Sequence, residues 1–365
     1  MWSDLLRACP QASFFLTGAW VETWMEVFGP RLDVSVMLFE STDEPVGACL
    51  VVHTRPRRAM IPLRRISINA AGESAADTTY IEFNDLVCRT GWEEAVATSL
   101  AEWLMGQSWD EVALDGFIPG PAYDALKRAL GDFELEENWH PSYYIDLAAL
   151  RRAGTSYEMA LGRACRKHLR QNMRSYGEQG PLHLKCAADV GEALAMLEEL
   201  AELNKTRWAA RGRHVVFASP YFQAFHRALI GRCFAAQSVQ LLRLTAGRQS
   251  VGLIYNLVHN GTVYFYQCGF YYGADKRLSP GTVTLSKAVE WLLDHGFEIY
   301  DLLSGDVSYK RCLSTSARRL VWAVFRRSSV KTHLVKLART TKRRLSKRLS
   351  RKTDTKRSPR SPSHE

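Results

Sequence analysis

Apolar positions fall into two alternating rhythms from the N-terminus to Arg326, one helical and one of short β-branched or aromatic runs. In the second half, Leu194, Leu197, Leu200 and Leu203 share one face of a helix expected over 190–211. A basic helix is expected over 158–176, with Leu161, Cys165, Leu169 and Met173 on its apolar side, and another helix over 220–236. Runs at 182–187, 239–245, 250–258 and 262–270 predict strands, the last reading TVYFYQCGF. A helix headed by Ser279-Pro280-Gly281 then carries Leu285, Ala288, Val289 and Leu292 on one stripe and stops at His295-Gly296. A strand at 298–303, a short helix at 306–314 and the run LVWAVFR (320–326) complete this half. The first half follows the same plan, with strands at 34–40, 46–53 and 110–114 and helices at 92–106 and 121–130. An antiparallel meander feeding a helix that crosses to a further strand is an α/β (α+β) arrangement.

The two halves also share words. EPVGACLVVH (44–53) matches QSVGLIYNLVH (249–259), and AEWLMGQSWDEVALDG (101–116) matches VEWLLDHGFEIYDLLSG (289–305), in the same order. A repeat this long implies two copies of one domain rather than a solenoid. The expected division is a first domain over 1–150, a junction at AALRRAGTSY (148–157), a second domain over 156–327 and a tail over 328–365.

The net charge of +10 on 365 residues changes meaning once it is located. From Arg326 to Glu365 there are 15 Lys or Arg against only Asp354 and Glu365, which leaves 33 basic and 36 acidic residues for the body. A near-neutral body argues against specific nucleic-acid binding. The tail reads as a solubilising segment, disordered beyond Lys352, or as a basic amphipathic helix (Leu334, Leu337, Leu345, Leu349) making peripheral contact with an anionic membrane. Eight scattered cysteines without C-x-x-C read as free, mostly buried thiols. With no basic-then-apolar leader and no apolar run of about 20 residues, they point to the cytoplasm.

No H-E-x-x-H or Cys/His cluster suggests a metal, and no G-x-S-x-G suggests a covalent nucleophile, so direct attack on a donor is the simpler chemistry. Ser279 is expected to cap its helix with its hydroxyl, Pro280 to fill the first turn and Gly281 to leave the N–H groups open to an anion, with Lys276 and Arg277 just upstream. Arg163, Lys167, Arg170 and Arg174 share one helix face, which is a solvated face or an acidic-ligand site.

RACRKHLRQNMRSYGEQG, NKTRWAARGRH, GLIYNLV, LSPGTV and YDLLSGDVSYKR, in this order across 156–312, resemble the CelD-type (cellulose or exopolysaccharide biosynthesis) acetyltransferases of the GNAT superfamily. More distantly they are similar to the Fem-type aminoacyl transferases. Both families have tandem GNAT-like halves, each a mixed, mostly antiparallel sheet flanked by helices. The resemblance implies acetyl-CoA, or another acyl-CoA, as co-substrate, with no metal. Its pyrophosphate would lie at Arg277, Ser279, Gly281 and Thr282, and its thioester between the strand carrying Tyr266 and the strand at 298–303. Asp301 would be a base, an orienting group or a turn cap; Tyr309 an acid or a packing residue; Lys310 a neutraliser of phosphate or acceptor charge. Arg163, Lys167 and Arg170, with Arg207, Trp208, Arg211 and His214, would meet the acceptor, an amine or hydroxyl on a small molecule, saccharide or cell-envelope precursor. The glycine-rich Gln/Arg-x-x-Gly-x-Gly/Ala loop of simpler GNAT enzymes is replaced here by YYGADKRLSPGT. The first copy has RTGWEEAV at the matching helix start, with acids where phosphate would sit, and so reads as structural or acceptor-binding. A Fem-type reading would substitute charged tRNA as donor; a degenerate pair would bind a ligand without turnover.

Overall fold

The computed structural model describes residues 1–212, 215–273, 275 and 277–338. The chain opens with helices α1 (Trp2–Arg7) and α2 (Gly18–Phe28). Strands β1 (Asp33–Ser41) and β2 (Glu44–Thr54) follow, then a small separate hairpin of β3 (Arg57–Arg58) and β4 (Ile61–Pro62), then β5 (Arg65–Ile68) and β6 (Val87–Cys88). Helix α3 (Glu93–Gly106) crosses to β7 (Glu111–Phe117), and α4 (Pro121–Ala129) leads to β8 (Glu134–Asp146). The second half begins with α5 (Leu147–Arg152), α6 (Tyr157–Ala160), α7 (Arg163–Gly177), β9 (Leu182–Cys186), α8 (Val190–Ala209) and α9 (Pro220–Cys233). It ends with the meander β10 (Val239–Ala246), β11 (Gln249–His259) and β12 (Thr262–Phe270), then α10 (Pro280–Asp294), β13 (Ile299–Ser304), α11 (Ser308–Leu313) and β14 (Ser316–Arg326).

All but the β3–β4 hairpin join one twelve-stranded sheet in the order β1-β2-β5-β7-β14-β8-β13-β12-β11-β10-β9, with β6 beside β2. Only β5–β7 and β12–β13 pair in parallel among these strands; every other pairing is antiparallel. With the extra edge strand β9 set aside, the order reads alike inward from both ends because the halves exchange their last strands. β14 lies between β7 and β8 of the first half, and β8 lies between β14 and β13 of the second. The expected boundary near residue 150 therefore divides the sequence but not the sheet. The junction is packed as well: Leu150 is buried, and the buried Tyr157 donates its hydroxyl to the Leu313 carbonyl at 2.6 Å.

The repeated words occupy equivalent places. β2 and β11 are each eleven residues long, and each faces a register shift in its partner strand, at Phe39/Glu40 and at Leu244/Thr245. Beside those shifts stand Gly47 and Gly252, and each lets a helix or strand side chain lie against bare backbone. A Cβ on Gly47 would meet Val96 Cγ2 of α3 at 2.7 Å; one on Gly252 would meet Phe270 Cδ1 at 2.6 Å and Thr284 Oγ1 of α10 at 2.8 Å.

The first half also roofs the second. Trp20 of α2 packs edge-on against Phe225 of α9, and Phe15 against Tyr264 of β12. Arg232 of α9 pairs with Glu22 and Glu26 at 2.9 and 3.1 Å. No helix among the described residues is long and apolar enough to cross a membrane.

Two local expectations change. The helix expected over 158–176 is broken at Leu161, whose ψ of 148° is extended, and restarts after Gly162. The cysteines are not all free thiols. Cys165 on α7 and Cys312 on α11 form a disulfide, because the two helices bring their Cα atoms within 5.7 Å. Of the expected tail, residues up to 338 are described, and Val335 is buried while Lys336 donates to Glu134 at 2.8 Å. Leu345, Leu349 and the region beyond Lys352 lie outside the described residues.

Candidate active site

Parallel strands joined by a crossover helix pair over a short stretch and then diverge. β12 and β13 are in register only from Thr262↔Ile299 to Tyr264↔Asp301. Past that point β13 is kinked at Leu303, a non-glycine residue with φ +61°. Asp301 Oδ1 accepts the Leu303 N–H at 2.8 Å, which holds the kink. A cavity of about 220 Å3 opens between the diverging strands, lined among others by Glu82, Asn204, Arg207, Cys268, Tyr309 and Lys310.

The same divergence exists in the first half, where β5 and β7 pair from Arg65↔Glu111 to Ser67↔Ala113, but there it is plugged. Asn84 bridges to β7 through its own backbone, its N–H donating to the Gly116 carbonyl at 2.9 Å and its carbonyl accepting from Ile118 at 2.9 Å. Its side chain donates to the Ile68 and Asp115 carbonyls, each at 3.1 Å, and accepts from Asn69 Nδ2 at 2.7 Å. Only the second half keeps its opening.

Glu82 comes from the first half and was not singled out by sequence. Its Oε2 and Oε1 accept the backbone N–H and the hydroxyl of Ser304, both at 2.7 Å. Burial pushes its carboxyl up to about 7, the Ser304 hydrogen bonds and the Lys310 charge pull the other way, and Asp301 adds to the rise. The signal available in the sequence was an acid inside an apolar stretch, Tyr80-Ile81-Glu82-Phe83.

Of the residues expected to do chemistry, Lys310 and Tyr309 line the cavity. Lys310 is buried and donates Nζ to the carbonyls of Leu303 at 3.1 Å and Ser304 at 2.7 Å. Burial lowers its pKa, against the charges of Glu82 and Asp301. Tyr309 is partly exposed, and desolvation still pushes its phenol up. Asp301 is different: it is fully buried and its carboxylate is spoken for. Oδ1 accepts from Ser142 Oγ at 2.7 Å and from Leu303, while Oδ2 accepts from Arg318 Nε at 3.1 Å and Nη2 at 2.6 Å. This geometry makes it a clamp between β13, β8 and β14 rather than a free base.

The expected anion seat at the start of α10 is also altered. Ser279 makes no side-chain cap; its hydroxyl lies 3.1 Å from His168 Nε2, and its N–H donates to Asn172 Oδ1 at 2.6 Å. Pro280 has no N–H, and the Thr282 N–H turns back to the Ser279 carbonyl at 3.1 Å. Gly281 is bare for packing, since a Cβ there would meet the Phe270 ring at 3.0 Å. Arg277 is exposed and tied to Asp275, Nε to Oδ1 at 2.9 Å and Nη2 to Oδ2 at 2.8 Å. Tyr266 lines the cavity, but it is mostly buried and its hydroxyl donates to the Thr79 carbonyl.

Among the residues expected to meet the acceptor, Arg207 and Trp208 line the cavity. Arg207 Nε and Asn204 Oδ1, on two residues of that lining, are buried without a hydrogen-bond partner. Arg211 stacks over Trp208 at 5.6 Å outside the lining set. Arg163 and Lys167 are exposed on α7, Arg170 pairs with Glu158 at 2.5 Å, and none of the three lines the cavity. His214 and Lys276 lie outside the described residues.

Residues 163–311 match the family model described as an acetyltransferase (GNAT) domain, which is less than half of the chain. No curated protein sequence matches. Among solved structures, FemX is similar at a TM-score of 0.56 and 9% identity, covering 92% of this chain and 97% of that one. The C-terminal domain of a putative lysylphosphatidylglycerol synthetase from Agrobacterium fabrum aligns at 0.52 and 12% identity, covering 93% and 96%. L-PGS from Bacillus licheniformis aligns at 0.51 and 12% identity, covering 88% and 96%. At these identities the likeness is one of fold, and it extends over both halves. The family match places the second half with acyltransferases of the GNAT kind.

Proposed function

We propose that the chain transfers an acyl group from a thioester, acetyl-CoA in the simplest case, to an amine or hydroxyl acceptor by direct attack in the cleft between β12 and β13. The observation that carries this reading is the unplugged divergence of those strands, with Glu82, whose carboxyl is pushed up to about 7, and Tyr309 and Lys310 all lining the opening. A general base works best when its pKa lies near the operating pH. The acceptor's N–H or O–H proton passes to Glu82, the new C–N or C–O bond forms as the C–S bond breaks, and Tyr309 supplies the thiolate with its proton. Two of the three Lys310 donors are held by backbone carbonyls, which fixes the ammonium where charge develops on the carbonyl oxygen. Asn204 and Arg207 hold the donor or acceptor through their unpartnered atoms. The resemblance of the motifs of 156–312 to the CelD-type transferases supports a saccharide or cell-envelope precursor as the acceptor.

One observation favours a second reading. The start of α10 offers a pyrophosphate little beyond the Gly281 N–H, because the Ser279 and Thr282 donors are used and Pro280 has none. A donor without that group, such as the aminoacyl ester of a Fem-type reaction, would not need the seat. Thermal denaturation separates the two. Acetyl-CoA at about 100 times its Kd adds roughly 2.7 kcal/mol to the folded state, and Arg207→Ala should shrink the resulting rise in Tm. If millimolar acetyl-CoA leaves Tm unmoved, the coenzyme A donor is wrong.

A further inference from the structure

The cleft continues into the first half. Tyr80, Glu82 and Ser304 line both the 220 Å3 cavity and a neighbouring one of about 760 Å3. Arg65, Gly72 and Glu73 are shared in turn between that cavity and a third, also of about 760 Å3. The three form a groove that leads from Tyr309 to the chain segment between β2 and β5. That segment reads RPRRAMIPLRR, with five arginines between Arg55 and Arg65. Arg57 and Arg58 form β3 of the hairpin, whose tip is turned by Ala59 and Met60 at φ +49° and +69°; Arg55 and Arg64 flank it, and Arg65 opens β5.

Not all of this charge is neutralised. Arg58 and Arg65 share the fully buried Glu111 with Arg326, at 3.3, 3.7 and 3.0 Å. Arg65 also reaches Asp115 at 3.5 Å, and Arg64 reaches Asp110 at 3.5 Å. Arg65 is held in place by these contacts, yet its Nε is buried without a partner. Arg55 and Arg57 line the groove, are exposed, and have no ion pair among the described residues. Of the acids on the walls, Glu82 is buried and Glu73 half-buried, desolvation raises both carboxyls, and Asp115 is the acid that Arg65 reaches. Asp33 is the remaining acid of the outer cavity.

Building on the acyl-transfer reading, we infer that the acceptor is an elongated molecule bearing a phosphate or pyrophosphate ester. Its anionic group sits at Arg55, Arg57 and Arg65, and its amine or hydroxyl reaches Glu82. Arginine suits this role because its planar fork of donors matches phosphate oxygens and stays charged at all working pH values. The distance between the two ends sets a minimum length for the acceptor, so a small amine without the anchor is a poor substrate.

The experiment uses the full chain without donor. Pyrophosphate and UDP are titrated calorimetrically, and sedimentation with phosphatidylcholine vesicles is compared with and without phosphatidic acid. Arg55→Ser/Arg57→Ser, both exposed positions, should weaken at least one phosphate probe tenfold or more while Tm and the acetyl-CoA response stay as in the parent. Loss confined to pyrophosphate and UDP assigns a soluble phosphate ester; loss confined to the acidic vesicles assigns a lipid phosphate. The same tail is present in both proteins, so its own attraction to vesicles cancels. Failure of every phosphate probe to bind, or equal binding by parent and variant, overturns the site. Because no donor is present, a failed acetyl-CoA reading leaves this result standing, and the reverse also holds.

Discussion

Glu82 and Ser304 join the two halves at the cleft, with the carboxylate of one accepting both the backbone N–H and the hydroxyl of the other at 2.7 Å. The base of the proposed reaction is thus delivered by the half whose own cleft is plugged by Asn84. Catalysis by the second half alone would lack its proton acceptor.

Glu82→Gln should lower kcat by about 10²–10⁴-fold. It should also flatten a pH–rate profile that in the parent rises through about pH 7. Stability moves the other way. The folded carboxyl holds its proton to about pH 7 while the unfolded one loses it near 4.5, so the folded state binds more protons between these values. Stability therefore falls as pH climbs from about 4.5 to about 7. Glu82→Gln cannot ionise, so its Tm relative to the parent should rise across this window. A parallel pair of Tm curves, with unchanged kcat, would remove Glu82 from the mechanism.

Asp301 and Arg318 make the second decisive contact, a buried carboxylate gripped by two guanidinium nitrogens from the exchanged strand β14. Asp301→Asn should cost about 1.5–3 kcal/mol of stability, the range for a hydrogen bond to a charged group. Arg318→Met should cause a similar loss, and the double variant should be far less than additive. Urea unfolding reads all three. Asp301→Asn with full stability and no turnover would return the aspartate to the chemistry and discard its role as a clamp.

Gly47 and Gly252 test the duplication as packing rather than as words. Each replacement by Ala forces a methyl to within 3 Å of its neighbours, Val96 in one half and Phe270 with Thr284 in the other. Both variants should lose about 1–3 kcal/mol through overpacking. A neutral Gly47→Ala beside a damaging Gly252→Ala would show that the two glycines have come to serve different ends.

The sequence carried the repeated plan of strands and crossover helices because those elements bury one face, and burial writes itself into local periodicity. Tyr309 and Lys310 stand out differently, by the resemblance of YDLLSGDVSYKR to the CelD-type transferases. The strand exchange left no such mark. β8, ELEENWHPSYYID, is half-exposed along most of its length, so its two backbone partners cannot be read from its side chains. The roles of Ser279, Gly281 and Asp301 depended on Asn172, Phe270 and Arg318, which approach from distant parts of the chain. Glu82 sits in a loop with no motif and acquires its meaning only when that loop meets Ser304.

The Cys165–Cys312 disulfide carries the last prediction. It fastens α11, the helix of Tyr309 and Lys310, to α7 across a separation of 147 residues. A bridge closing so long a segment restricts the unfolded chain and typically contributes about 2–5 kcal/mol. The oxidised protein should therefore lose several degrees of Tm on treatment with dithiothreitol. Cys165→Ser/Cys312→Ser should show the lower Tm from the start and no response to the reductant. The six remaining cysteines give the control, since Cys9, Cys49, Cys88 and Cys233 are buried and Cys186 and Cys268 are half-buried. Thiol counting under denaturing conditions should find two fewer free thiols before reduction than after. Eight free thiols in the freshly isolated protein, with a Tm indifferent to dithiothreitol, would show that α11 is held without the bridge, by contacts such as the Tyr157 and Lys310 hydrogen bonds and the buried Leu313.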